Sequence, residues 1–572
     1  MKVAIAQIAP ISGDLEGNFN RILDKMRWAK EEKAHLVVFP EMALTGYCIL
    51  DLVEDDYFVE RNKQLLEQLA KESNSTAAVV GFVDFDKKKK NPSGKSLRYN
   101  AAAVLQNGKV LGIAHKTLLP SYRYFDDSRY FTPGKVRKPI EVKINGKKLK
   151  LGVTICEDMW DENYDIKPVK ELCRKGAKVI VNINASPYNP RKIEERISII
   201  ERHLKLYRIP FIYVNTVGAA DNGKNIIPFD GQSLVYDKSG KLIAIGKQFK
   251  RDSFIVDLDK KQAAPAAPKP KYHREKEIFN ALVMSLKYYA KRTGFNKAII
   301  SVSGGIDSAL GLAITVEAFG NGAVVAYNLP SQFNTEKTKA LAAEVVKNLG
   351  VEYKIIPIEK IDNVYREEFE KNGHVIEQAA SKENLHARIR GQIMMLESNE
   401  SNSLLISNGN KTEIALGYAT LYGDMCGGIS VIGDLSKMDV YRVSRYINEK
   451  YGREVIPEEI FQLRPSAELS ANQYDPFDYS VVSPLVDLLV EERLSVKEVI
   501  EKFQKRSLGE SVPRRIYSEY DKTRFTHLIK ELYSLLKKSV YKRLQGPPII
   551  AVSERSFGFD LRETIINKWE GI

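Results

Sequence analysis

Three prolines fall within nine residues at Gln262-Ala263-Ala264-Pro265-Ala266-Ala267-Pro268-Lys269-Pro270. Each proline fixes φ and lacks an N–H, so the stretch is an extended spacer that fits neither a helix interior nor a central strand. A chain of 572 residues is too long for one hydrophobic core, and this break divides it into residues 1–260, a linker at 261–272 and residues 273–572. Before the break, apolar runs at Val3 to Ile8, Leu36 to Phe39, Ala77 to Val83, Ala101 to Leu105, Leu151 to Ile155, Val179 to Ile183 and Phe211 to Val214 alternate with amphipathic helical patterns. That density of strands predicts an α/β sandwich. After it, strands at Ala298 to Val302, Ala323 to Asn328, Tyr353 to Pro357 and Leu404 to Ser407 alternate with helices such as Glu336 to Leu349, which predicts a doubly wound parallel sheet with its ligand at the strand C-termini.

Composition narrows the class. No apolar run approaches the ~18 residues that cross a bilayer. Met1-Lys2-Val3-Ala4-Ile5-Ala6-Gln7 reads as a first strand rather than a signal peptide, so the expected address is the cytoplasm, with no membrane partner. Cys48, Cys156, Cys173 and Cys426 form no Cys-x-x-Cys pair, which argues against structural zinc and a disulfide framework. The net charge of +14 suits nucleotide substrates and also RNA. Lys87 to Lys90, beside Asn91-Pro92-Ser93-Gly94, reads as a solvated loop tip.

In the second part, Ser303-Gly304-Gly305-Ile306-Asp307-Ser308 follows a strand and leads into an apolar helical segment. Glycines that turn N–H groups toward an anion, serine hydroxyls and a helix N-terminus together favour phosphate. The Gly-Lys-Ser/Thr ending of a Walker loop is missing, and Asp307 is suited to holding Mg²⁺ against pyrophosphate. The loop resembles that of the ATP pyrophosphatases, which cleave ATP between the α- and β-phosphates.

In the first part, Glu41, Lys116 and Cys156 each follow a predicted strand. A cysteine with a pKa near ~8.5 is mostly protonated at neutral pH, so a nucleophilic Cys156 needs a base. Glu41 raised by desolvation suits that role, and Lys116 suits an oxyanion. Phe39-Pro40-Glu41-Met42-Ala43-Leu44-Thr45-Gly46-Tyr47, His115-Lys116-Thr117-Leu118-Leu119-Pro120 and Thr154-Ile155-Cys156-Glu157-Asp158-Met159-Trp160 resemble, in order, the three catalytic segments of the nitrilase superfamily. The resemblance implies an α-β-β-α sandwich and a Glu-Lys-Cys triad cleaving an amide through a thioester. Leu119-Pro120-Ser121-Tyr122 and Asn184-Ala185-Ser186-Pro187-Tyr188, with Lys192 beyond, are similar to the glutaminase branch, which implies glutamine contacts from Tyr122, Ser186 and Lys192. Glu157 and Asp158 beside the nucleophile disfavour its thiolate by like charge. Cys48, Cys173 and Cys426 read as structural.

The strings Glu383-Asn384-Leu385-His386-Ala387-Arg388-Ile389-Arg390-Gly391, Ser407-Asn408-Gly409-Asn410-Lys411-Thr412-Glu413, Tyr422-Gly423-Asp424, Asp434-Leu435-Ser436-Lys437, Arg464-Pro465-Ser466-Ala467-Glu468-Leu469 and Tyr541-Lys542-Arg543 resemble, in order, the glutamine-dependent NAD synthetase family. The resemblance implies a carbon-nitrogen ligase with an adenine nucleotide hydrolase-like second domain and with ATP, glutamine and deamido-NAD as substrates. By the same resemblance Ser301, Ser303, Gly304, Gly305, Ile306, Asp307, Ser308, Asn408, Lys437 and Ser466 contact ATP, Asp307 and Glu413 ligate Mg²⁺, and Asn384, Glu413 and Lys542 contact deamido-NAD. Arg388 and Arg390, near Asn384, suit a dinucleotide phosphate. It further implies a homo-oligomer, and joining the two activities implies a passage for ammonia. The competing readings are another glutamine-dependent ATP-pyrophosphatase amidotransferase, such as one making GMP or asparagine, and a non-catalytic nucleotide- or RNA-binding scaffold. The intact Glu41, Lys116 and Cys156 set disfavours the scaffold, and no nucleic acid partner is expected. The charged stretch after Glu491 reads as amphipathic helices for packing or subunit contact.

Overall fold

The computed structural model describes residues 1–91, 94–259, 267–466, 468–470 and 474–569. They form two compact units, Met1–Asn222 with Ile227–Tyr272, and Gly223–Ile226 with His273–Ile572. Residues 261–266 of the expected linker lie outside the described residues. The remainder, Ala267–Tyr272, carries no helix or strand. Ala267 donates its N–H to the Leu242 carbonyl at 3.0 Å, and Lys269 pairs with Glu201 at 2.7 Å.

The first unit is built on two six-stranded sheets. One runs in the order Asp252–Asp257, Lys2–Gln7, Leu36–Val38, Ala77–Lys90, Ser96–Gln106, Lys109–His115, the other Leu242–Ile245, Leu234–Tyr236, Phe211–Asn215, Val179–Asn184, Lys147–Ile155, Ile140–Ile144. Alternation along each strand assigns the layers. Val3 and Ile5 join Val153, Val181 and Ile212 in the core between the sheets. Ala4 and Ala6 turn the other way, onto Ile22 and Met26 of helix Leu15–Glu31 and Leu66 and Leu69 of helix Asp56–Glu72. On the second sheet, Ile180 faces outward to Leu172 of helix Pro168–Arg174 and to Ile193, Ile197 and Ile200 of helix Lys192–Tyr207. The result is the expected α-β-β-α sandwich, with each buried aliphatic side chain contributing about 1.5–3 kcal/mol. One local expectation holds only in part. Lys87 to Lys90 are exposed to solvent, but they end strand Ala77–Lys90 rather than forming the loop tip: the ladder shifts register after Asp86 and closes with Lys90 opposite Ser96.

In the second unit the parallel sheet runs Ile549–Ile550, Ile429–Ser430, Leu404–Ser407, Ala298–Ser301, Val324–Asn328, Glu352–Ile355. Asn225 and Ile226 pair in parallel with Ile549 and Ile550 at its edge. From Ala298–Ser301 the chain builds outward to Glu352–Ile355, then returns to Leu404–Ser407 on the other side. That reversal opens a crevice at the C-terminal ends of the two neighbouring strands. Ile299 packs with Ile389 and Met394 of helix Ala379–Ser401. Its neighbour Ile300 faces helix Ile306–Phe319, where a Cβ added at Gly311 would sit 3.2 Å from Ile300 Cδ1. Helices thus cover both faces. Helices Tyr479–Val490, Val496–Gln504 and Lys522–Lys538 join in one apolar cluster, with the Phe503 and Phe525 rings stacked at 3.9 Å. The apolar faces of the stretch after Glu491 therefore pack within this unit. No helix among the described residues is long and apolar enough to cross a membrane.

Candidate active sites

Three strand ends of the first unit deliver Glu41, Lys116 and Cys156. The turn carrying Glu41 presses on Gly81, where a Cβ would lie 2.4 Å from Met42 N and Pro40 O, so this neighbour must be glycine. Glu41 and Lys116 are each 1% exposed. Lys116 Nζ donates to Glu41 Oε1 at 2.8 Å and to Asp127 Oδ2 at 2.6 Å. Asn100 Nδ2 donates to Glu41 Oε1 at 2.7 Å, and the Ala185 N–H donates to Glu41 Oε2 at 2.7 Å. Burial opposes the Lys116 charge, but the Asp127 and Glu41 carboxylates outweigh it and keep the ammonium protonated far above its ordinary value.

Cys156 stands at the turn between strand Lys147–Ile155 and a short 3₁₀ turn, with φ +42°. A left-handed conformation costs a non-glycine residue about 1–2 kcal/mol, and Asp158 holds the turn against it. Its carboxylate accepts the N–H groups of Ile155 (3.1 Å), Thr117 and Leu118 (both 2.9 Å), tying the Cys156 turn to the segment after Lys116. Burial pushes the Asp158 carboxyl up to about 6 against those three backbone bonds. Burial also pushes the Cys156 thiol well up, with Glu41 adding to the rise, Lys116 opposing it, and Glu157 and Asp127 adding further. At neutral pH the resting sulfur is a thiol. The like-charge effect expected of the two acids beside it comes from Glu157, while Asp158 is engaged with backbone.

Tyr122, half exposed, places its hydroxyl 3.0 Å from Glu157 Oε2, and Tyr164 donates to Glu157 Oε1 at 3.0 Å. Burial raises the Glu157 carboxyl against the pull of Lys116 and these hydrogen bonds. Lys192 begins helix Lys192–Tyr207 with Nζ 4.0 Å from the centre of the Trp160 ring and 2.7 Å from Glu195 Oε2. Ser186 is buried, and its hydroxyl accepts from Arg196 Nη2 at 3.2 Å. Tyr122 and Lys192 are thus partly open to a substrate, and Ser186 is engaged in the interior. Asn100, Asp127 and the clamp role of Asp158 escape the sequence reading. For Asp127 the signal is faint, since Asp126 beside it offers the same chemistry.

In the second unit the loop Ser303 to Ser308 leaves strand Ala298–Ser301 and caps helix Ile306–Phe319. Gly304 has φ +88°, and a Cβ there would lie 2.1 Å from the Thr338 carbonyl oxygen, so only glycine fits. The Ser303 N–H donates to Ser308 Oγ at 3.2 Å, Ser308 Oγ to the Gly305 carbonyl at 3.0 Å, and the Gly305 N–H to Ser303 Oγ at 3.3 Å. On the adjacent strand, Asn408 Nδ2 donates to the Ser301 carbonyl at 2.8 Å. Ser466 Oγ accepts the Glu468 N–H at 3.0 Å, and Glu468 accepts from Thr338 Oγ1 at 3.0 Å, which docks that segment beside Gly304.

Lys437 Nζ bridges Asp307 Oδ2 (2.5 Å) and Glu413 Oε1 (3.0 Å). Asn410 Nδ2 donates to Asp307 Oδ1 at 2.8 Å, and Asn410 caps helix Lys411–Leu416 through the Glu413 N–H at 3.1 Å. Burial opposes the Lys437 charge, yet Asp307 and Glu413 drive it up. Burial raises Glu413 to about 7, opposed by Lys437 and reinforced by Asp307. Among the described residues no cluster of three or more His, Cys, Asp or Glu side chains forms a metal cage. Two hard carboxylates sharing one cation nevertheless fit Mg²⁺, which takes one or two protein carboxylates and completes its shell with phosphate and water.

Asn384 Oδ1 accepts from Thr420 Oγ1 at 2.6 Å, Lys542 Nζ donates to the Gly417 and Ala419 carbonyls at 2.9 and 2.8 Å, and Arg388 Nε donates to the Leu421 carbonyl at 3.2 Å. These three side chains converge on one turn. Burial lowers Lys542, with Asp424 opposing and Arg388 adding. Arg390 departs from the expectation that grouped it with Asn384. It holds the Leu329 carbonyl at 2.9 Å and Asn334 Oδ1 at 3.1 Å, and burial lowers it to about 10.

The carbon-nitrogen hydrolase family matches residues 2–268, and the NAD synthase family matches residues 278–529. The glutamine-dependent NAD(+) synthetase of Thermotoga maritima is 34% identical, the match covering 100% of this chain and 99% of the relative. That of Aquifex aeolicus is 33% identical, with 100% of both chains covered. The solved glutamine-dependent NAD+ synthetase of Acinetobacter baumannii in complex with ADP is 31% identical with a TM-score of 0.72, covering 100% of this chain and 99% of that one.

Proposed function

The chain belongs to the glutamine-dependent NAD(+) synthetase family, and within that membership we propose how its own residues divide the work. The enzyme hydrolyses glutamine to glutamate and ammonia and uses the ammonia to amidate deamido-NAD, with ATP going to AMP and pyrophosphate. In our reading the glutaminase residues lie in the first unit and the synthetase residues in the second. The observation that carries this reading is the buried Glu41–Lys116 pair beside a turn-held Cys156.

Glu41 takes the Cys156 thiol proton as the sulfur attacks the glutamine carboxamide. Lys116, fixed between Glu41 and Asp127, stabilises the oxyanion of the tetrahedral intermediate. Collapse of the intermediate returns the proton to the departing ammonia and leaves a γ-glutamyl thioester. Glu41 then takes a proton from water as it attacks that ester, releasing glutamate and restoring the thiol. Tyr122, Glu157 and Lys192 offer groups for the amino and carboxylate ends of glutamine, with Ser186 supporting the wall.

Ser301, Asn408, Ser466 and the loop Ser303 to Ser308, through Gly304, Gly305 and Ile306, hold ATP. Asp307 and Glu413 would hold Mg²⁺, which when bound neutralises phosphate charge. Lys437, released from the two carboxylates, meets the charge that builds on the leaving pyrophosphate. Asn384, Glu413 and Lys542 position deamido-NAD so that its carboxylate reaches the α-phosphate. The acyl adenylate formed there is attacked by ammonia, and AMP leaves.

The test is NAD formation from deamido-NAD and MgATP with glutamine or ammonium as donor. AMP and pyrophosphate appearing in step with NAD for either donor is the expected result. ADP and phosphate as products, or amidation of a different carboxylate in place of deamido-NAD, would contradict it.

A further inference from the structure

The Ala185 N–H that holds Glu41 Oε2 belongs to an irregular segment leaving strand Val179–Asn184, and the hold is as firm as that segment. Two neighbours fix it. Asn215 Oδ1 accepts the Ser186 N–H at 2.9 Å, and Asn215 Nδ2 donates to the Ser186 carbonyl at 3.1 Å. The larger hold is the guanidinium of Arg196, from helix Lys192–Tyr207, with no exposed surface. Nη1 donates to both oxygens of Asp230 at 2.8 Å. Nη2 donates to the Ser186 and Pro187 carbonyls, each at 3.0 Å, and Nε donates to Ser186 Oγ at 3.3 Å. An arginine has five N–H donors in a planar fork, so the whole donor set faces this one segment and Asp230. All five N–H donors of Arg196 are thus taken up by protein groups.

We propose that Arg196, locked by Asp230, is a positioning residue for glutamine hydrolysis: it fixes the Ala185 N–H and through it aims the Glu41 carboxylate. The inference rests on the reading of Glu41 as the base. Displacing a reacting group by ~1 Å costs about 100-fold in rate, and the tetrahedral ammonium of lysine has three donors that cannot reproduce the fork. The role therefore predicts that Arg196→Lys does not rescue.

The experiment compares Arg196→Lys, Arg196→Met, Asp230→Asn and Glu41→Gln in the full chain. It reads kcat and KM with glutamine, the ammonium-driven rate, and the labelling of Cys156 by a glutamine-like chloroketone. For both Arg196 variants we expect glutamine-driven kcat down about 10- to 100-fold, KM within about threefold, and the ammonium-driven rate within about twofold. Labelling should be slower yet reach the wild-type stoichiometry, and Asp230→Asn should show a smaller loss of the same kind. Labelling that stops short of that stoichiometry would reveal a folding defect and overturn the proposal. So would a glutamine-driven kcat near wild type, or a rise confined to KM. If neither Arg196 variant is soluble, Asp230→Asn decides by the same criteria. Full turnover in Glu41→Gln would sink the base reading itself, whereas a dead Glu41→Gln beside normal Arg196 variants would sink this inference alone.

Discussion

Asp127 is the second carboxylate on Lys116, at 2.6 Å against 2.8 Å for Glu41, and it also accepts the Tyr47 hydroxyl at 2.9 Å. With it, the Lys116 charge keeps a carboxylate partner through the proposed cycle, in which Glu41 gains and loses a proton. Removing one partner of a buried pair leaves an uncompensated charge at a cost of about 3–5 kcal/mol. Asp127→Ala should therefore lower the unfolding midpoint of the first unit and cut glutamine-driven turnover at least about tenfold, while ammonium-driven synthesis continues. Unchanged glutamine turnover would show that Glu41 suffices to hold Lys116. In the second unit, Asp307, Glu413 and Lys437 together carry one surplus negative charge when both carboxylates are ionised. Glu413 has a carboxyl near 4.5 when unfolded and about 7 when folded. The folded state binds the proton more tightly between those values, so its contribution is fully present below the unfolded value and is lost as pH rises through about 7. Glu413→Gln should melt higher than wild type at pH 8 without divalent cation, the advantage vanishing toward pH 4.5, and should lose synthesis with either donor. An advantage that grows on acidification would reverse the assigned direction.

At the scale of elements, the strand, glycine turn and helix around Ser303 to Ser308 form one device. Gly304→Ala forces a left-handed residue, about 1–2 kcal/mol, and drives its methyl into the Thr338 carbonyl. Expected is a KM for ATP raised at least about tenfold with glutamine and ammonium alike; a normal KM would remove the loop from the ATP site. This device was legible because strand, turn and helix adjoin in sequence, and helix Glu336–Leu349 and strand Leu404–Ser407 are read from local periodicity to their ends. Strands Ile429–Ser430 and Ile549–Ile550 were not legible, since two residues carry no period and their partners are distant in sequence. The turn at Cys156 is likewise hidden, because its positive φ is stabilised by Asp158 bonds to Thr117 and Leu118 across the fold.

On the scale of the whole molecule, each unit contributes a site, its main groups standing just past strand ends in the first unit and in the first turns of the helices that follow strands in the second. Glu41, Lys116, Cys156, Asp307, Glu413 and Lys437 were legible because each stands in a recognisable string. Asn100, Asp127 and the Arg196–Asp230 pair were not, because their partners lie on other elements and their own neighbours in sequence are ordinary. The division of labour between the units is tested most directly by Cys156→Ala, assayed for NAD formation with each donor. Glutamine-driven synthesis should fall at least about 10³-fold, and ammonium-driven synthesis should stay within about twofold of wild type. Loss of both activities, or survival of the glutamine reaction, would contradict it.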